Sequence, residues 1–389
     1  MIPTETEAAI AAQITAAREP LLVRGAGTKS GMLRPVQAGA TLSTAHLTGI
    51  TLYAPKELIL SAQAGTPLHE IERALAEHGQ HLIAEPPDLS ALLGATPNTQ
   101  TIGGITATNL SGPRRVAWGA TRDHVMGVRA VTGRGEVIHS GGRVLKNVTG
   151  LDLCKLLTGS HGTLGVITEV TLKVLPAPEA TGTIVIPGLS PAAAVTVLSA
   201  ALGSPYGVSG AVWLPADTTM PGWPAGPPAA LIRIEDFAAS VTYRTEKLRG
   251  ELGFPDADIL DTAASLPLWR AVRDARALPM AEGVWRVSVR PSAGADVLAA
   301  LPGLDGYLDW GGGLVWLAGP ATETTHRAVE AAARAAGGTW MLLRAPDSLR
   351  NAVDVVPPEP APLARITRRV KEAMDPRGLL NPGRLYAGL

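Results

Sequence analysis

The segment LLVRGAGTKSG, residues 21–31, runs from apolar residues into Arg24, Gly25, Ala26, Gly27, Thr28 and Lys29. A loop of small residues leaves main-chain N–H groups exposed, and such groups gather around anions, phosphates above all. Two phosphate-binding frames fail on spacing. A P-loop requires its lysine directly after the last glycine. Here Thr28 stands between Gly27 and Lys29, and no glycine lies five positions before Gly27. A Rossmann turn requires a third glycine opening a helix. Here Ser30 takes that place, and the following GMLRPVQAG, with Pro35, makes a poor helix. By itself the loop is equally well a glycine turn after a strand.

Four further stretches share its character: PNTQTIGGITATNLSGP (97–113), WGATRD (118–123), GGRVLKNVTGLD (141–152) and GSHGTLGVIT (159–168). Glycine loses more conformational entropy on folding than any other residue, so a concentration of such turns calls for a reason. Close approach of backbone to an extended ligand carrying phosphates is one reason. A β-rich domain with many tight turns is the other.

Other chemistry is bounded more tightly. Cys154 is the only cysteine. It allows no internal disulfide, no cysteine-held iron–sulfur cluster and no multi-cysteine zinc site within the chain, and it fits a reducing, intracellular setting. None of the 8 histidines forms an H-x-H or H-E-x-x-H pair. His78 and His81 straddle Gly79 and read as a solvated helix end. Arg114, Arg115 and Arg122 are candidates to grip a carboxylate in bidentate fashion, to neutralise phosphates or to face a partner. His161 reads as a surface-loop residue and Cys154 as a small buried one. Hydrophobic residues make up 46% of the 389-residue chain, and Lys+Arg balances Asp+Glu at 34 each. Nothing basic points to nucleic acid. The polar, acidic MIPTETEAAIAAQ shows no signal peptide. Residues 183–203 carry no charge, but Pro187, Gly188 and Pro191 divide them into a strand and a helix capped by Ser190 rather than a membrane span.

The elements that position these loops are legible in outline. A capping box at Thr4-x-x-Glu7 opens a first helix. PLLVRG, ITLYAP and ELILSAQAG read as strands. Thr66 and Pro67 read as the cap and first residue of a helix with the stripe Leu68, Ile71, Leu75 and a stop at Gly79. VMGVRAVTGRGEVIHSGG reads as a hairpin turning at Gly133-Arg134-Gly135. GVITEVTLKVLP reads as a long strand ending at Pro176. After PAPEA, strands (LIRIEDF, VWRVSVR, GGLVWLAG) alternate with alanine-rich helices such as 322–336, a separate α+β domain. Trp310, Trp316, Leu317 and Trp340 read as core. A proline-rich stretch at 351–362 precedes a basic helix and a Pro-Gly turn.

The order R-G-A-G-T, T-I-G-G-x-x-A-x-x-x-S-G-P-R-R, K-N-V-x-G-x-D, G-S-x-G-T-L-G-V-I-T-E-V-T-L-K-V-L-P and D-P-x-G-L-L-N-P-G-R-L-Y closely resembles the FAD-binding oxidoreductases of the vanillyl-alcohol oxidase or p-cresol methylhydroxylase (PCMH) type. LSGPRR and KNVTGLD are most similar to the group of glycolate oxidase FAD-binding subunits E. The resemblance covers about residues 4–178 and 365–389. It implies an α+β chain: a PCMH-type FAD-binding domain of two α+β subdomains at 1–177, a second α+β domain on an antiparallel sheet at 178–364, and a segment 365–389 returning to the first.

The resemblance also assigns residues. Arg24 to Lys29, including Gly25, Ala26, Gly27 and Thr28, would form the first pyrophosphate loop. Thr101, Ile102, Gly103 and Gly104, with Thr108, Ser111 and Gly112, would run beside the flavin and ribityl chain. Gly162, Gly165, Val166 and Ile167 would meet the adenosine half by backbone groups. Asn381 and Arg384 would close the site near the ring. Many members attach FAD through a histidine in the first loop; Thr28 stands there, so FAD would be non-covalent. Related catalytic subunits carry a metal-binding His-x-Gly-Asp-Gly-Asn-x-His stretch, and the comparable DWGGGLVWLAG (309–319) has no histidine. The implied role is therefore an FAD-binding, metal-free subunit beside a catalytic flavin subunit and an iron–sulfur subunit, supporting oxidation of a small 2-hydroxy acid. Cytoplasmic placement, peripheral to the inner membrane through partners, goes with it. A self-sufficient FAD dehydrogenase and an FAD-free scaffold are the alternatives.

Overall fold

The computed structural model describes residues 6–142 and 151–389. The KNVTG part of the third motif lies outside them. The chain divides into two units: Met1–Leu110, Ala120–Ala177 and Pro358–Leu389 form the first, and Ser111–Gly119 with Pro178–Pro357 the second.

In the first unit, helix α1 (Glu7–Ala16) starts at Thr6, whose hydroxyl accepts the Ala9 N–H at 3.1 Å. Thr4 lies outside the described residues; Thr6 is the cap because its extended backbone sets the hydroxyl against the third helical amide. Strands β1 (Leu21–Arg24) and β2 (Ala40–Ser43) run parallel, and Leu380 bridges to Leu21 on the other side. Ile10 and Ile14 of α1 pack with Leu21, Leu42, Leu379 and Leu380 into a small core.

A second core lies on a five-stranded antiparallel sheet. Its strands are β3 (Ile50–Ala54), β4 (Ile59–Gln63), β6 (Val125–Val131), β7 (Val137–Gly141) and β8 (Val166–Lys173), in the order β3-β4-β8-β6-β7. The short β5 (Gln80–His81) pairs with β9 (Leu175–Pro176). β8 is central, and its Val166, Ile167, Val170 and Leu172 are all buried. The β6–β7 hairpin turns where the sequence places it, with Gly135 at φ +81°. Helix α2 (Leu68–Ala76) covers this core with Leu68, Ile71 and Leu75. Its cap differs from expectation: Pro67 is the cap residue, and the Thr66 hydroxyl instead donates to the Gln63 carbonyl at 2.7 Å, holding the turn out of β4.

Helix α3 (Ile102–Thr108) stands where a glycine-rich loop was expected. Thr101 caps it, accepting the Gly104 N–H at 3.3 Å. Packing overrides the low helix propensity of two glycines. The Gly103 N–H donates to the Ala64 carbonyl at 2.8 Å, and Ile102 and Ile105 enter the core.

The second unit is built on an eight-stranded antiparallel sheet of β10 (Ala180–Pro187), β11 (Val208–Leu214), β12 (Ala229–Asp236), β13 (Asp258–Leu260), β14 (Gly283–Ser288), β15 (Asp305–Asp309), β16 (Leu314–Gly319) and β17 (Thr339–Arg344). The spatial order is β13-β10-β12-β11-β15-β16-β14-β17. Ser190 caps the helix Pro191–Leu202 as its sequence requires. No helix among the described residues is long and apolar enough to cross a membrane.

Residues 111–119, read from the sequence as part of the first domain, belong to the second unit. Arg114 forms a two-pronged ion pair with Glu235, at 3.0 and 2.7 Å, and the Trp310 indole donates to the Gly112 carbonyl at 3.1 Å. Burial opposes ionisation of Glu235, but Arg233 and Arg114 hold its carboxyl far below the usual range. Arg114 is thereby occupied and is not a free carboxylate grip.

Candidate functional site

The first-unit loop at 24–29 follows β1 and has one conspicuous property. None of the amides of Gly25, Ala26, Gly27, Thr28 and Lys29 donates to a backbone carbonyl among the described residues. Consecutive N–H groups left in this way form a concavity for an anion. Gly27 stands at φ +81°, which a side chain would resist. Gly25 is required for a different reason: a Cβ there would lie 2.5 Å from the Thr101 hydroxyl oxygen. The first loop and the start of α3 therefore touch through the absence of a side chain.

Lys29 points into the same region. Its ammonium donates to Gln100 Oε1 at 3.1 Å and approaches the Thr28 hydroxyl at 3.4 Å. Burial brings it down to about 8, against the opposing charge of Asp88. Burial also opposes ionisation of Asp88, but bonds from the Ser90 hydroxyl and the Asn98 and Ser90 amides, with the Lys29 charge, hold its carboxyl below the usual range.

The 159–165 turn lies beside both loops. Gly159 and His161 donate their amides to Thr106 and Ala107 of α3, at 3.0 and 2.8 Å. The His161 ring has Lys29 and Arg384 nearby, and burial first, then those two cations, push it down to about 3. His161, read as a surface-loop residue, keeps part of its surface and carries a neutral ring beside the cluster. The turn is tied to the C-terminal segment by Asn381, whose amide nitrogen donates to the His161 and Val23 carbonyls at 2.9 and 3.2 Å while its oxygen accepts the Val23 N–H at 2.7 Å. Arg384 donates to the carbonyls of Lys29 and Arg34 at 2.8 and 2.9 Å. It stands behind the first loop and fixes its shape.

The structure thus brings together Arg24 to Lys29, Thr101 to Gly104, Gly162, Asn381 and Arg384. Thr108 is on the same helix, but its hydroxyl turns back to the Gly104 carbonyl at 2.9 Å. Gly165 leads into β8, where Val166 and Ile167 pair with Val131 and Ala130 of β6. The β4 register ends at Gln63 and Glu169, so the β4-side backbone edge of Val166 and Ile167 has no strand partner among those described. Ser111 and Gly112 belong to the second unit. Asp88, Gln100 and His161 were missed from the sequence. Asp88 lies in a stretch without period or motif, and nothing in the spacing marks it. No group of three or more His, Cys, Asp or Glu gathers in a metal-holding arrangement among the described residues.

The residues present fit a dinucleotide: an amide concavity with one half-buried cation for the phosphates, and main-chain groups of Val166 and Ile167 that no β4 residue pairs. Fold and site define an FAD-binding oxidoreductase. A family described as FAD binding domain matches residues 2–141. The chain is 35% identical to the glycolate oxidase subunit GlcE of Escherichia coli (strain K12), over 96% of this chain and 94% of that protein. It is 36% identical to the glycolate oxidase subunit GlcD of Bacillus subtilis (strain 168), over 42% of this chain and 33% of that one. The same identity, over 40% of this chain and 33% of the other, links it to a D-lactate dehydrogenase of Archaeoglobus fulgidus. In fold it matches alkyldihydroxyacetonephosphate synthase with a TM-score of 0.67 at 16% identity, over 97% of this chain and 74% of that one. The chain belongs to the GlcE family of glycolate oxidase subunits.

Proposed function

We propose that this chain is the FAD-binding subunit of a glycolate oxidase complex, supporting oxidation of a small 2-hydroxy acid and passing electrons to partner subunits. The observation that carries the cofactor part is the run of amides from Gly25 to Lys29 that donate to no backbone carbonyl among the described residues, with Gly25 against Thr101 and Lys29 near His161. The identity across nearly the whole length of the E. coli subunit supports the complex. Bound FAD supplies the two-electron acceptor. The chain's own residues would hold it: Gly25 to Lys29 at the pyrophosphate, Thr101 to Gly104 and Thr108 along its middle, Gly162, Gly165, Val166 and Ile167 by main-chain groups at the adenosine half. Arg384 and Asn381 would fix the loops rather than touch the ring. Thr28 lacks the imidazole nitrogen through which a histidine at this place bonds the flavin, so FAD would be released intact on denaturation.

The partners would be a catalytic flavin subunit and an iron–sulfur subunit, with any membrane association made through them. The test is co-purification with and without those partners. The isolated chain should be yellow, with a flavin band near 450 nm, and should turn over glycolate only in their presence. A colourless chain whose melting temperature is unmoved by added FAD refutes the cofactor assignment. Full glycolate turnover by the chain alone refutes the subunit role in favour of a self-sufficient dehydrogenase.

A further inference from the structure

The helix Ala361–Met374 carries Arg365, Arg368, Arg369 and Lys371 and contributes no residue to the cradle described above. From Ala361 to Val370 nothing on it is buried, and Lys371 is its one buried residue. An amphipathic helix ordinarily turns its apolar stripe to the core, as α2 does with Leu68, Ile71 and Leu75. Here the reverse holds. Leu363, Ile366 and Val370, three and then four apart, lie in one row. Leu363 is 47% exposed and Ile366 57%, and Val370 keeps part of its surface.

The helix is held by other means. Lys371 and Met374 anchor its last turn, the first through Asp375 and the Thr163 and Leu380 carbonyls, the second against the core of the five-stranded sheet. The Thr367 hydroxyl donates to Glu359 at 2.9 Å and ties the first turns to the chain before them. Ala364, Thr367, Lys371 and Met374, the less exposed side, form a separate row. The apolar row is therefore presented on a fixed helix and not packed. A single exposed apolar side chain is ordinary, but an aligned row of this kind marks a contact surface.

Charge decides what covers it. Arg365 and Arg369, four apart, flank the row on its solvent side, and Arg368 lies beyond them. All three are exposed, and none pairs with a carboxylate among the described residues. Glu372 is the only acidic residue of the helix. The chain as a whole is balanced at 34 basic and 34 acidic residues, so the excess is local. A second copy would set these arginines against themselves across a two-fold axis. A lipid surface favours Trp or Phe in the apolar row, and this row has neither. Anchors at i, i+3 and i+7 instead fit a groove on a folded protein, and its rim must be acidic to meet the arginines.

We infer that the row Leu363, Ile366 and Val370, with Arg365 and Arg369 at its edge, docks into an apolar groove rimmed by carboxylates on a partner subunit. The apolar side chains supply the dry centre of the contact, and the arginines orient it and speed encounter. The choice of a subunit as the occupant rests on the role proposed above.

The experiment uses the full chain, tagged and co-expressed with the catalytic flavin subunit and the iron–sulfur subunit. Ile366→Glu and the double variant Arg365→Glu, Arg369→Glu are compared with the parent. These positions are exposed, so the isolated variants should keep the parent's circular dichroism, absorbance spectrum and melting temperature. Ile366→Glu should weaken assembly by roughly 10- to 100-fold, and the double charge reversal by about tenfold. Assembly of the parent should weaken as salt rises from about 50 to about 500 mM, and the double variant should lose most of that dependence. The isolated parent and Ile366→Glu are also sedimented alone and with vesicles of phosphatidylethanolamine and phosphatidylglycerol. Variants that assemble like the parent refute the docking face and leave the subunit role standing. A parent that forms no complex with either subunit refutes the subunit role, and this face with it. If Ile366→Glu abolishes vesicle binding or self-association while assembly is unaltered, the face belongs to a lipid surface or a second copy, and the inference is overturned.

Discussion

Lys29 and His161 show how the enclosure sets charge at single residues. Burial lowers the Lys29 ammonium to about 8. The group is a cation below that value and neutral above it, so its attraction for a phosphate is present at pH 7 and fades as the pH rises. FAD affinity should therefore fall between pH 7 and 9, followed by flavin fluorescence. Lys29→Met should weaken binding at pH 7 by roughly tenfold and flatten the pH profile, since a hydrogen bond from a charged group is lost. An unchanged slope in the variant would remove Lys29 from the site. His161 is pushed in the same direction, down to about 3. Its ring resonances should stay those of a neutral imidazole from pH 8 to pH 5, and a midpoint near 6.5 would mean that the ring is not enclosed.

Between elements, what matters is that loops from distant parts of the chain meet. Gly25 allows the first loop to rest on the cap residue of α3, where a Cβ would come within 2.5 Å of the Thr101 hydroxyl. Gly25→Ala should leave the circular dichroism unchanged and weaken FAD binding by about tenfold or more, by forcing the loop away from α3. Thr101→Ala removes the obstructing oxygen, and the double variant should recover part of the loss, a coupling that equilibrium dialysis against FAD can read. Additive effects would mean that the two residues do not share the contact. The strand–turn–strand units and the stripe Leu68, Ile71, Leu75 were legible because apolar period and turn chemistry act locally. Helix α3 was not, since two glycines argue against a helix and only the packing of Gly103 on Ala64 decides for it. The glycine loops could be ordered from the sequence, but their meeting could not. The Arg384 grip on the Lys29 carbonyl spans 355 positions, and no local rule reaches that far. The resemblance places Ser111 and Gly112 beside the flavin; that residues 111–119 group with the second unit, through the buried Arg114–Glu235 pair, is not legible until β12 is in place.

On the scale of the whole chain, the first unit is completed by its last residues, and one buried ion pair holds them there. Lys371 and Asp375 meet at 2.7 Å with side chains 8% and 0% exposed. The Lys371 ammonium also donates to the Thr163 and Leu380 carbonyls at 2.7 and 3.0 Å. Asp375 in turn accepts the amides of Leu379 and Leu380 at 3.1 and 2.8 Å. All three Lys371 donors are used and both Asp375 oxygens accept, so the pair is well compensated, but removing one member leaves a buried charge alone. Asp375→Asn should therefore cost about 3–5 kcal/mol in urea denaturation. The loss should not stop at stability. The 379–384 segment carries Asn381 and Arg384, which fix the 161–162 turn and the first loop, so the flavin band should disappear at a lower urea concentration than in the parent, together with the unfolding of the first unit. A Lys371→Met, Asp375→Leu double variant, which removes both charges, should recover much of the stability. Retention of FAD by a destabilised Asp375→Asn chain would show instead that the cradle holds its shape without its C-terminal tie.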